Sequence, residues 1–214
     1  MKALDLTQGP ITRTLIAFTL PTLGSNVLQS LNASVNAIWV GHFLGEAPLT
    51  ATTNANMVLF LLMAAVFGVV MATGIMVGQS IGARDLPQAK RVVGSSAVFI
   101  VLLSLATAVV GALTAEPILR LMSTPPDAMP YAVSYLRIVF IATLPMFFYI
   151  YVAMTLRAAG DARTPFVFMF VSVALDIALN PLLIFGPGPL PALGIAGAAL
   201  AMLISQTTTL LAML

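Results

Sequence analysis

The sequence predicts an all-α polytopic membrane protein, a bundle of six transmembrane helices. Two compositional facts carry that expectation. Only 7% of the 214 residues are charged and 60% are hydrophobic, whereas a soluble domain is about a quarter charged. The apolar residues also fall in six long runs, each able to cross about 30 Å of hydrocarbon as a helix.

The first run, Thr14 to Val40, is more polar than a lipid-facing helix should be. Thr22, Ser25, Gln29, Asn32 and Asn36 recur at spacings of three and four, so they share one helical face. Interhelical hydrogen bonding alone needs fewer amides, at about 1 kcal/mol each, so the stripe is expected to line a water-filled cavity. Pro21 lies below it and removes a backbone hydrogen bond, which predicts a hinge. The second run, Asn54 to Gln79, follows the breaker Gly45-Glu46-Ala47-Pro48 and carries Gly68, Gly74 and Gly78 as a thin packing surface. The third, Val92 to Ala115, follows Arg84-Asp85-Leu86-Pro87, and the fourth, Tyr131 to Leu156, follows Ser123-Thr124-Pro125-Pro126-Asp127. Met146, Phe147, Phe148, Tyr149, Tyr151 and Met154 crowd the fourth run as core or lipid-facing groups, with room for one or two in an adaptable apolar pocket.

The fifth run, Thr164 to Phe185, holds the one carboxylate expected at bilayer depth, Asp176. A charge there costs roughly 3 kcal/mol on insertion scales. Protonating an Asp at pH 7 costs about 4 kcal/mol from its reference pKa. With the two costs so close, a neighbour or a conformational change decides whether the proton stays. Ser172, Asp176 and Asn180 share a face, and Pro181 follows. Facing the first stripe, Asp176 and Asn180 would meet Asn36, Asn32 and Gln29 with no cationic side chain as partner. That arrangement suits an exchangeable cation. The sixth run, Ala192 to Leu214, follows Gly186-Pro187-Gly188-Pro189, and Gly194, Gly197, Ala198, Ala199 and Ala201 give it a thin face.

Basic residues alternate between the two sides. Lys2 and Arg13 precede the first run, Arg84, Lys90 and Arg91 lie between the second and third, and Arg157 and Arg163 between the fourth and fifth. The positive-inside rule then puts the N-terminus and these loops in the cytoplasm. Lys2 is followed by Asp5 without a cleavage site, so the start reads as a retained end rather than a signal peptide. The chain stops in an apolar run at Leu214, which suggests a piece of something larger.

Several chemistries lack their residues. There is no cysteine, and the one histidine, His42, sits at a run end, so neither a thiolate nucleophile nor a metal site is expected. Gly94-Ser95-Ser96 has no histidine at depth to serve as its base. No phosphate-binding glycine loop is present, and the basic clusters reflect topology rather than nucleic-acid binding. A transporter without an organic cofactor is expected, not an enzyme.

Ordered motifs along the whole chain resemble the multidrug and toxic compound extrusion (MATE) transporters, most of all their prokaryotic DinF-like branch. In the first run Leu20-Pro21 precedes Gln29 and then Ala37-Ile38-Trp39-Val40-Gly41. Gly78-Gln79-Ser80-Ile81-Gly82-Ala83-Arg84-Asp85, with Ala89-Lys90-Arg91, resembles the second loop. Arg157-Ala158-Ala159-Gly160-Asp161-Ala162-Arg163-Thr164-Pro165 resembles the fourth. Asn180-Pro181-Leu182-Leu183-Ile184-Phe185-Gly186 and Gly194-Ile195-Ala196-Gly197-Ala198-Ala199 resemble the fifth and sixth spans.

The resemblance implies that residues 1–214 form the N-terminal six-helix bundle, with a second bundle missing after 214 and supplied by further chain or a homodimer mate. It implies a bacterial inner-membrane antiporter that exchanges H⁺ or Na⁺ for amphipathic, often cationic, drugs or toxic compounds. The cation site would be Asp176, Asn180 and Asn36; Gln29, Asn32, Ser25 and Ser172 would line the substrate cavity; Pro21 would be the hinge. The pattern also departs from the family. Asn36 stands where many relatives have Asp, the fifth-span order is Asp176 then Asn180 rather than the reverse, and Met202 replaces a frequent Thr. Two alternatives stand beside this reading: a lipid-linked oligosaccharide flippase of the same superfamily, and a non-transporting scaffold or truncated remnant.

Overall fold

The computed structural model describes residues 11–43, 46–186 and 192–213. They form six helices in chain order: α1 Ile11–Phe43, α2 Glu46–Gly82, α3 Leu86–Leu121, α4 Met129–Ala158, α5 Arg163–Phe185 and α6 Ile195–Met213. Lys2, Asp5, Gly45, Pro187, Gly188, Pro189 and Leu214 lie outside the described residues. All-α architecture is as the sequence predicts, but the helices run past the expected spans. α2 begins eight residues before Asn54, and α3 continues beyond Ala115 to Leu121, with Arg120 donating to Glu116 at 2.7 Å across one exposed turn.

Five helices, α2 to α6, are long and apolar enough to cross a membrane. α1, at 33 residues, is long enough but falls outside that set. Its amides and hydroxyls dilute it. The first expected span is thus a helix of full length but of lower hydropathy than the other five, as its polar residues predict.

α4 is the scaffold. Half of its most apolar stretch is buried, against 17% for α2 and for α3, whose outer faces show Phe60, Leu61, Phe67, Val98 and Leu102. One core cluster joins Ala51, Ala55, Ala115, Leu119, Leu136, Val139, Phe140 and Ile184; a second joins Val66, Val70, Ile100, Phe147 and Tyr151. The Tyr151 hydroxyl binds the Val93 carbonyl at 2.6 Å and lies 3.0 Å from the Ser96 hydroxyl, stitching α4 to α3. Gly111 is forced by the Phe140 ring, which occupies the space of any Cβ. Gly74 and Gly78 face Ala158 of α4 as expected of a packing surface, but Gly68 has open space before it.

α1 packs chiefly along α5. Trp39 meets Phe185 edge-on at 6.0 Å, and the Phe166 ring closes on Gly24. α5 turns back into α6 through Gly186, a left-handed cap, and the Leu193 and Gly194 N–H groups donate to Leu183 and Ile184 at 3.1 Å. The start of α6 thus lies beside the end of α5, and Gly194, at φ 55°, belongs to this turn rather than to the face of α6.

The two basic loops share one device. Asp85 accepts the Gln88 N–H at 3.0 Å to cap α3. Asp161 accepts the Arg163 and Thr164 N–H groups at 3.1 and 3.0 Å, and the Thr164 hydroxyl, to cap α5. Partial burial pushes the Asp161 carboxyl up, but the Thr164 and Arg163 hydrogen bonds outweigh it and hold it below its ordinary value.

Candidate functional site: a polar cavity around Asp176

The two polar stripes meet. Asn36 Nδ2 on α1 donates to Asp176 Oδ2 on α5 at 2.9 Å, a contact between residues 140 apart in sequence. Asp176 is 2% exposed, and among the described residues it has no ion-pair partner. Asn180, fully buried one turn away, donates through Nδ2 to the Asp176 backbone carbonyl at 2.8 Å. Pro181 beside it leaves the Ile177 carbonyl without a helical N–H. This turn of α5 therefore concentrates acceptors.

Three oxygens remain without partners: Asp176 Oδ1, Asn180 Oδ1 and Asn32 Oδ1. Buried acceptors normally find a donor. The open carboxylate oxygen, with Asn32 Oδ1 in the same cavity wall, is chemically ready for a proton, a hard cation or a water that a cation can displace, whereas Asn180 is not part of that wall.

Asp176 opens onto a cavity of about 330 Å³ between α1, α2, α4, α5 and α6. Of the residues expected to line it, Gln29, Asn32, Asn36, Ser172 and Asp176 do so. Ser25 is buried but not in the lining; its hydroxyl donates to the Pro21 carbonyl at 3.0 Å. Pro21 sits inside a continuous α1. Its missing N–H leaves the Ala17 carbonyl unsupported, while Thr22 and Ser25 bond back to Phe18 and Pro21.

Sequence reasoning missed half the wall. Thr52, Thr53 and Asn56 come from α2, Tyr135 from α4, and Ser205 and Gln206 from α6, with Met146, Met169 and Met202 between them. The α6 signal was readable, since Ala198, Met202 and Ser205 share a face at helical spacing. Thr52 and Thr53 lay ahead of the predicted span, and nothing distinguishes Tyr135 from a packing tyrosine. Among the lining residues Asp176 is the one charge.

Comparison with known proteins identifies the family. The MatE family model matches residues 21–182. The probable multidrug resistance protein YoeA of Bacillus subtilis is 38% identical over 202 residues, covering 94% of this chain and 44% of that protein. An FAD transporter of Shewanella oneidensis is 28% identical over 205 residues, covering 96% and 45%. A crystal structure of MATE in the straight conformation superposes with a TM-score of 0.90 at 25% identity, over 100% of this chain and 46% of that one. The chain spans less than half the length of these relatives. With the bundle, the facing stripes and the family match in agreement, the chain belongs to the MatE family, whose members are membrane transporters and not enzymes.

Proposed function

We propose that this chain forms one lobe of a cation-coupled transporter that exports amphipathic, neutral or cationic compounds. The observation that carries the reading is Asp176 on the wall of a shared cavity, tied to α1 through Asn36 and left with an open oxygen. A proton or Na⁺ entering from outside takes up that oxygen together with Asn32. The substrate occupies the same cavity, so loading the cation expels it. α1 moves in the process, with Pro21 as hinge, because α1 contributes both the amide on Asp176 and part of the cavity wall. The second lobe is a further six-helix bundle, from a longer chain or from a second copy, in a bacterial inner membrane with the basic loops inside.

The sign of the wall argues against an anionic substrate. A lipid-linked oligosaccharide carries phosphate, and flavin adenine dinucleotide, the substrate in the name of the Shewanella oneidensis relative, carries two. Neither finds a Lys or Arg in this cavity, while both would face Asp176. A non-transporting scaffold would have no use for unpaired buried oxygens.

Asp176→Asn in the full-length transporter, reconstituted into vesicles, should abolish efflux driven by a pH or Na⁺ gradient while keeping expression and folding. Gradients applied singly identify the ion. Retained ion-driven efflux in Asp176→Asn would overturn the reading.

A further inference from the structure

Buried polar atoms without a protein partner continue along α6 from the cavity wall, at Gln206, to the next turn, at Thr209. Gln206 Oε1 and Thr209 Oγ1 on α6 are both orphaned, and Thr209 is fully buried. Thr209 follows Ser205 by four residues and Gln206 by three, so it continues the face that lines the cavity, one turn farther on. Its neighbours Ser205 and Thr207 satisfy their hydroxyls on the Ala201 and Leu203 carbonyls at 2.7 Å. Thr209 has the same option at Ser205 and does not take it.

This turn leads away from the cavity toward one end of the bundle. Because the start of α6 lies against the end of α5, the far end of α6 lies with Arg163 at the start of α5. At that same end the Tyr149 hydroxyl reaches the Pro165 carbonyl at 3.5 Å, and Arg157 Nε is again buried without a partner. A dry, packed helix would carry apolar groups at these positions. Orphaned polar groups of this kind are satisfied by buried water, each water making about three hydrogen bonds.

We infer that Gln206 and Thr209 line a hydrated conduit from the Asp176 cavity to the basic, cytoplasmic end of the bundle, through which the coupling cation leaves. This rests on Asp176 being the cation's site. The conduit separates the ion's exit from the substrate's route. A cation released from Asp176 passes along α6 on water, while the cavity itself stays free for the exported compound. Gln206 and Thr209 are neutral, so they neither trap the ion nor repel it.

Accessibility of introduced thiols tests this directly, since the chain has no cysteine of its own. In the full-length transporter, with any cysteine elsewhere replaced, Gln206→Cys, Thr209→Cys and the packed control Ala199→Cys are treated with a membrane-impermeant cationic thiosulfonate on the cytoplasmic side of vesicles. Thr209→Cys should react at least tenfold faster than Ala199→Cys. Reaction at the control rate would overturn the conduit, even with Gln206→Cys labelled through the cavity. Thr209→Val provides a second arm: ion-driven efflux several-fold slower at unchanged substrate Kd supports the conduit, and an unchanged rate refutes it. Fast labelling of Thr209→Cys alongside retained efflux in Asp176→Asn would leave the water path standing and remove the cation reading instead.

Discussion

Gly197 has no room for a side chain. A Cβ built there meets the Leu183 carbonyl oxygen, with the carbonyl carbon at 2.5 Å and Ile184 N at 2.9 Å. These are backbone atoms, so no side chain can swing aside. Carbon atoms rest about 3.5–4.0 Å apart, so Gly197→Ala obliges α5 and α6 to part by about 1 Å. Overpacking of this kind costs about 1–3 kcal/mol, against an intrinsic helical gain for Gly→Ala of about 0.5–1 kcal/mol. Gly94 is the matched control, since it is also inside a helix but has nothing within 4 Å of its Cβ position. Thermal unfolding of the detergent-solubilised full-length protein should show Gly197→Ala several degrees below the parent and Gly94→Ala at or above it. The displaced α6 also carries Met202, Ser205 and Gln206 away from Asp176, so substrate affinity should fall with Tm. If Gly197→Ala tracks Gly94→Ala, the close α5–α6 approach is wrong, and with it the position of the cavity's α6 wall.

Two further outcomes follow from contacts outside the cavity. Tyr151→Phe removes the hydroxyl from the Val93 carbonyl and from Ser96, and should cost about 1 kcal/mol, read as a lowered Tm with unchanged ion dependence of efflux. Asp161→Ala removes the cap of α5 and should cost about 0.5–2 kcal/mol at neutral pH. The Asp161 carboxyl is held below its ordinary 3.8, so its contribution is complete above that value and fades as pH falls through the depressed one. The parent and Asp161→Ala should therefore differ in Tm at pH 7 and converge in strong acid.

The membrane class and the helix count were legible from composition and the length of the apolar runs, and the meeting of the two stripes from periodicity. Polar residues at spacings of three and four must share a face, and two buried polar faces must find each other, as Asn36 and Asp176 do. What stayed hidden depended on neighbours distant in sequence. Gly68 and Gly74 look alike along the chain, yet only Gly74 has a helix before it. Ser25 belongs to the stripe by spacing, but its hydroxyl bonds back to the Pro21 carbonyl one turn earlier and it stays out of the cavity lining. Thr52 and Thr53 reach the cavity because α2 starts earlier than its hydropathy suggests.

The Asn36–Asp176 bond sets a limit on what cation loading alone can do. A hydrogen bond to a charged group is worth about 1.5–3 kcal/mol and a neutral one about 0.5–1.5. Neutralising Asp176 therefore weakens the link between α1 and α5 by about 1 kcal/mol, roughly a fivefold change in the balance between two positions of α1. Carrying a two-state element from 1:99 to 99:1 needs about 5.5 kcal/mol. The rest has to come from what the cavity holds: substrate bridging α1 to α2 and α4, or water replacing it on Gln29, Asn32 and Asn56. Asp176→Asn, which removes the charge permanently, should then leave α1 in a mixture of positions rather than fully switched. Distances between spin labels on exposed sites of α1 and α3 would report two populations whose ratio shifts by several-fold, and substrate would move that ratio further. A complete switch in Asp176→Asn without substrate would show that the carboxylate governs α1 through more than this one bond.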